Sequence, residues 1–184
     1  YEYHKEIGDK TIRQSVELME KWHGKDNGRI QVAMGPHATD TVSPDLFKEI
    51  RRIADQHHLK ITTHLAQNQT EVKQVKERYG KTTCQYLESV GILGPDFIGG
   101  HGIFLTPEDI SLLAKSRSSV SHNSVLNAKR GYIAPVADMQ KAGVNVGLGT
   151  DNMAADIIEV MRVGQMVSRV KTGIPHEPKP FKML

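Results

Sequence analysis

Five residues able to bind a metal or move a proton recur at one kind of place in this 184-residue chain. His37 follows "IQVAMGP", His64 follows "KITT", His101 follows "FIGG", His122 follows "SVS" and Asp151 follows "GLGT". Each preceding stretch reads as a short strand. A carboxylate closing a run as small and apolar as "VNVGLGT" is costly unless a cation, a donor or water meets it, so Asp151 requires a partner. Imidazole nitrogen and carboxylate oxygen together form a common ligand set for catalytic zinc, which keeps a position open for water. Such water loses a proton near neutral pH and becomes a nucleophile. Asp151 also suits a second task, accepting the proton of the attacking water. One strand-end histidine is more often structural than functional; the recurrence is what points to a site. The remaining histidines, His4, His23, His57, His58 and His176, fall in helices, helix ends or tails. His57 and His58 suit a helix C-terminus, where partial positive charge is favourable.

The elements that must position these groups alternate along the chain. "TIRQSVELMEKWH" has apolar residues at helical spacing, and "GRIQVAMGPH" reads as a strand broken at Gly35-Pro36. "SPDLFKEIRRIADQHH" opens with Ser43 as N-cap and Pro44 at the first helical position. "LKITTHLAQ" is strand-like, and "TEVKQVKERYG" and "TTCQYLESVG" are helices closed by Gly80 and Gly91. "DFIGGHGI" and "SSVSHN" read as strands on either side of the helix "TPEDISLLAKS", which Thr106 caps. "APVADMQKAG" is a helix, "VNVGLGTDN" a strand expected to be buried, and "ADIIEVMRVGQMVSRV" a long amphipathic helix. Such alternation predicts an α/β fold of parallel βαβ units, with strands covered by helices. The C-terminal ends of parallel strands converge on one face, where active sites lie.

Bulk properties narrow the function. The net charge of +3 comes from 24 basic and 21 acidic residues interspersed along helices, which gives no support to a nucleic-acid or membrane partner. The single cysteine, Cys84, excludes an intrachain disulfide and a thiolate metal cluster, and fits a reducing cytoplasm. The opening "YEYHKEIGDK" has no apolar signal core, and no apolar run approaches the roughly 18 residues of a membrane span. No linker precedes the Pro- and Lys-rich tail "GIPHEPKPFKML", so residues 1–184 read as a single domain. The length falls short of the roughly 250 residues of a complete (β/α)8 barrel.

The segments "GPHATDTVSPDL", "THLAQNQTEV", "SHNSVLNAKRGYIAPV" and "LGTDNMAADIIEVMR", in this order, resemble the amidohydrolase superfamily. The likeness is to the branch of cytosine-deaminase-like enzymes, methylthioadenosine and adenosylhomocysteine deaminases and s-triazine chlorohydrolases, and it runs from about Gly35 into the helix after Asp151. It implies a partial (β/α)8 TIM barrel comprising strands 4 to 8, without strands 1 to 3 and the small β-sandwich. It implies zinc or another divalent metal held by His64 and Asp151, with Asp151 also the general base. His101 would orient water or substrate, His37 and His122 would contact a heterocyclic small-molecule substrate, and His122 and Asn127 would form part of the pocket wall, Asn127 mainly as a structural residue.

Two departures qualify that reading. The family's proton-shuttling Glu, three residues after the strand 5 histidine, is here Gln67, which cannot protonate anything near pH 7. Gln67 is therefore expected to orient substrate, with Glu71 a candidate replacement acid and some weight shifted towards halide or alkylamine leaving groups. The His-x-His pair expected on strand 1 occurs nowhere in the sequence. Hence the alternative that this chain is an inactive scaffold, and the expectation that open strand edges make it a homo-oligomer. An unrelated α/β binding protein would need these matches to be coincidental.

Overall fold

The computed structural model describes residues 4–152 and 155–176. Its sheet has five parallel strands in sequence order: β1 (Ala33–Met34), β2 (Lys60–Leu65), β3 (Phe97–His101), β4 (Ser119–His122) and β5 (Asn145–Leu148). Neighbouring strands are joined through helices, as the alternation predicts: α2 (Pro44–His57), α3 (Gln69–Tyr79) with α4 (Thr83–Ser89), α5 (Pro107–Ser116), and α6 (Ser124–Lys129) with α7 (Val136–Lys141). Helices α1 (Lys5–Trp22) and α8 (Ile157–Thr172) precede and follow the strands. None of the described helices is long and apolar enough to cross a membrane.

The caps explain where the helices begin and end. Ser43 accepts from Leu46 N at 3.3 Å with Pro44 just inside, and His58 closes α2 in the left-handed region at φ 54°. Thr82 and Thr106 each form a reciprocal capping box, with Gln85 and Asp109. The six-residue α6 was not foreseen, because a helix this short carries too little periodicity to register.

The strands are covered by helices on one face only. In β2, Ile61, Thr63 and Leu65 are buried while Lys60 and Thr62 are exposed and His64 is half-buried; β3 and β4 alternate in the same way. One face packs beneath the helices, in a core with Phe47, Ile50 and Ile53 of α2, Leu87 of α4, Leu113 of α5 and Met139 of α7. The other face opens onto a cavity. β5 is likewise no buried strand: Asn145 is exposed and Val146 to Leu148 are half-buried, because among the described residues β5 is an edge that pairs with β4 alone. β1, at the opposite edge, pairs over two residues before Gly35-Pro36 ends it.

Candidate active site

The cavity, about 630 Å³, lies at the C-terminal ends of the strands. His37, His64, Asn123 and Asp151 line its polar side, and Met34, Val42, Leu46, Ile50 and Ile12 of α1 line an apolar one. A pocket of this size with a few convergent polar groups suits a small molecule that is apolar at one end.

His64 follows from the alternation of β2, since it shares the cavity face with Thr62. Its backbone N–H and its ring Nδ1 both contact the carbonyl of His37, at 3.0 and 2.6 Å. A carbonyl only accepts, so Nδ1 carries the proton and Nε2 holds the lone pair. This arrangement commonly orients a metal-ligating imidazole. The His37 ring packs edge-on against His64, centroids 4.8 Å apart, with Nδ1 3.0 Å from the Thr41 hydroxyl. Partial burial and the neighbouring His64 hold the His37 pKa below its ordinary value.

His101 has the parity of the helix-facing residues of β3, yet its contacts are with the site. Its backbone explains this: at φ 75° it leaves the strand in the left-handed region, which re-aims the side chain. The ring stacks on His64 at 5.4 Å, and its Nε2 lies 3.4 Å from Asp151 Oδ2. Nδ1 lies 3.1 Å from Asn127 Oδ1. Only 1 % exposed, His101 sits behind the lining residues, and burial lowers its pKa despite the opposing pull of Asn127 and Asp151.

Asp151 follows β5 after Gly149-Thr150 and is itself left-handed, at φ 54°. The partners its position demanded are donors: Asn152 N at 2.6 Å to Oδ1, and Asn123 Nδ2 at 3.3 Å to Oδ2. Its side chain remains 20 % exposed.

Four expectations need correction. His122 does not line the cavity, because alternation along β4 turns Ser121 inward and sends His122 under the helices, fully buried with neither ring nitrogen partnered. Desolvation lowers its pKa to about 4, so it is neutral at pH 7. Gln67 does not line the cavity either: Ala66 turns the chain at φ 46°, and the Gln67 N–H is held by Glu71 Oε2 at 2.8 Å. Glu71, the candidate replacement acid, is fully buried and committed to the turn after β2 through Ala66 N and Gln67 N and to the segment after β1 through the Thr39 hydroxyl. Asn127, expected in the pocket wall, does not line the cavity and is buried against His101. The residue that the sequence reading missed is Asn123, which touches both His101 and Asp151; its signal was its parity with Ser121 on β4, two residues before it.

As a metal site the donors are incomplete. His64 Nε2 and the Asp151 carboxylate are of fitting type, but among the described residues no group of three or more His, Cys, Asp or Glu side chains is placed to hold a metal ion. A catalytic zinc site uses three protein ligands. These residues therefore fit part of such a site, and further ligands would have to come from outside the described residues.

The amidohydrolase family profile matches residues 2–181. A 5'-deoxyadenosine deaminase of Methanopyrus kandleri is 36% identical over 181 residues, covering 96% of this chain and 42% of the relative. A 5-methylthioadenosine/S-adenosylhomocysteine deaminase of Carboxydothermus hydrogenoformans is 38% identical over 175 residues, covering 92% and 40%. The crystal structure of an adenosine deaminase from Xanthomonas campestris with bound zinc superposes with a TM-score of 0.84 at 26% identity, over 91% of this chain and 39% of that one. The chain thus spans about two fifths of the length of these relatives. Its five-stranded sheet is the corresponding part of their barrel.

Proposed function

This chain belongs to the amidohydrolase family, and from that premise we propose that it forms the proton-handling part of a metal-dependent deaminase acting on a purine nucleoside. The observation that carries the reading is the meeting of His64, His101 and Asp151 beside one cavity at the C-terminal ends of parallel strands. The nucleoside class is supported by the names of the two deaminase relatives and by a cavity with a polar end and an apolar side.

His64 and Asp151 would hold the metal, together with ligands from outside the described residues. When bound, a divalent cation supplies a water that ionises near neutral pH. Asp151, with its carboxylate 20 % exposed to the cavity, takes the proton of the attacking water and passes it to the departing amine. His101, stacked on His64 behind the cavity wall with Nε2 facing Asp151 Oδ2, keeps that carboxylate oriented. The apolar side, Met34 with Leu46 and Ile50, takes the part of the substrate remote from the ring. Gln67 offers no acid at the cavity, so protonation of the ring nitrogen falls to Asp151 or water.

Zinc binding followed by calorimetry, alongside ammonia release from 5'-deoxyadenosine and methylthioadenosine, tests the reading. The proposal expects His64→Ala and Asp151→Ala each to weaken zinc by more than the roughly 10- to 100-fold that loss of outer partners costs. A second reading, a scaffold without metal, is favoured by the incomplete donor set. Zinc binding that is absent or indifferent to both substitutions would establish that one instead.

A further inference from the structure

We propose that Asn123 is the positioning residue of this site, a neutral clamp that holds Asp151 and His101 together and keeps His101 Nδ1 free of a proton. Every polar atom of its side chain is engaged. The Ser121 hydroxyl donates to Asn123 Oδ1 at 3.1 Å, which turns the amide N–H groups the other way. One is directed to Asp151 Oδ2 at 3.3 Å and the other to His101 Nδ1 at 3.4 Å, long but within reach. Asn123 is 8 % exposed, so water does not compete freely for these bonds. β3, β4 and the loop after β5 thus meet at a single carboxamide.

The backbone makes room for this clamp. A Cβ at Gly149 would collide with both Asn123 Oδ1 and Ser121 Oγ. Gly149 does not have a positive φ, so the steric need of Asn123 and Ser121, and no unusual conformation, calls for glycine at this position.

The consequence falls on the His101 tautomer. A neutral imidazole has one N–H and one lone pair. Asn123 Nδ2 can only donate, which requires the lone pair at Nδ1 and places the proton on Nε2, facing Asp151 Oδ2 at 3.4 Å. The other tautomer would set the Nε2 lone pair against that carboxylate. Asn127 Oδ1, 3.1 Å from Nδ1, favours the other tautomer, but Asn127 Nδ2 is buried without a partner. Half a turn of that amide makes Asn127 a second donor to Nδ1 and sets its oxygen where the unpartnered Nδ2 stood, so the charged Asp151 carboxylate facing Nε2 decides the tautomer. Asn123 cannot turn in the same way without setting its oxygen against Asp151.

The catalytic value of the clamp rests on the deaminase reading; the tautomer does not, and is measured without substrate. Nitrogen-15 spectra of the imidazoles in the full chain, at about pH 8 where histidine is neutral, are assigned through loss of the His101 signals in His101→Gln. In the native protein Nδ1 of His101 should resonate as a pyridine-type nitrogen and Nε2 as a pyrrole-type one. Asn123→Asp replaces the donor with an acceptor, and Nδ1 should move to the pyrrole class. Gly149→Ala, which keeps the amide but displaces it, should remove the shift that the Asn123 donor confers on Nδ1. A protonated Nδ1 in the native protein, or an Nδ1 unmoved by both variants, overturns the proposal. Where turnover is measurable, Gly149→Ala should lower kcat with KM held; an altered tautomer with kcat unchanged would support the clamp and count against the role given to His101 in catalysis.

Discussion

The segments after β2 and β5 each bring in one carboxylate, Glu71 in the first turn of α3 and Asp151 in a loop, and put it to opposite use. Glu71 is fully buried; Oε1 accepts from the Thr39 hydroxyl at 2.5 Å and Ala66 N at 3.1 Å, and Oε2 from Gln67 N at 2.8 Å. It thereby ties the segment after β1 to the turn after β2. Asp151 keeps part of its side chain exposed, and the donors on its Oδ2, His101 and Asn123, come from other strands at 3.4 and 3.3 Å. Full burial, with both oxygens committed to joining two segments, makes a carboxylate structural. Longer bonds from several strands, with an open side, leave it able to exchange a proton.

Asp151→Asn gives the widest separation between the two segments. Turnover should fall about 10²- to 10⁴-fold, the usual contribution of a general base, while the urea midpoint changes little. Glu71→Ala should do the reverse. It strands two backbone N–H groups and a hydroxyl in the interior, so the chain should lose about 2–4 kcal/mol of unfolding free energy in urea titrations. If both substitutions moved stability equally, the contrast between the segments would collapse.

The buried groups also differ in what pH does to them. Burial, the largest influence, raises the Glu71 pKa even though Thr39 and Gln67 pull it down. An acid whose pKa is higher when folded binds more protons in the folded state, so its contribution is fully present below the ordinary glutamate range and is lost as pH rises through the raised value. His122 runs the other way. Its folded pKa of about 4 lies below the ordinary 6.5, so the unfolded chain binds the extra proton and stability falls as pH drops from about 6.5 through 4. The loss amounts to about 3 kcal/mol at most. Urea midpoints across that range should flatten in His122→Leu and keep their slope in Asp151→Asn. The smallest effect is that of His122→Leu itself near pH 7. Because neither ring nitrogen has a partner, stability should change by less than about 1 kcal/mol, read from the thermal midpoint.

Much of the fold could be read from the chain. Ser43-Pro44, Thr82, Thr106 and the alternation of β-rich and helical stretches located the helices and the parallel strands, because caps and periodicity act over a few residues. His64 and Asp151 could be placed on the same grounds, as polar groups ending strands. His122 and Gln67 could not. A strand-end residue looks alike from either face, and only the register of β4 and the turn at Ala66 send these two away from the cavity. Glu71 was misjudged because its burial follows from the approach of Thr39, 32 residues away, and from the turn at Ala66 that aims two backbone N–H groups at it.

What the sequence by itself determined is the set of local choices: which stretches are strand or helix, where each helix is capped, and which reactive groups stand at strand ends. Tertiary structure alone decided which of those groups face one another. The left-handed turn at His101 swings an outward position into the site, and the missing Cβ of Gly149 lets Asn123 reach between two strands. Both depend on distances between segments far apart in the chain, which no local preference encodes.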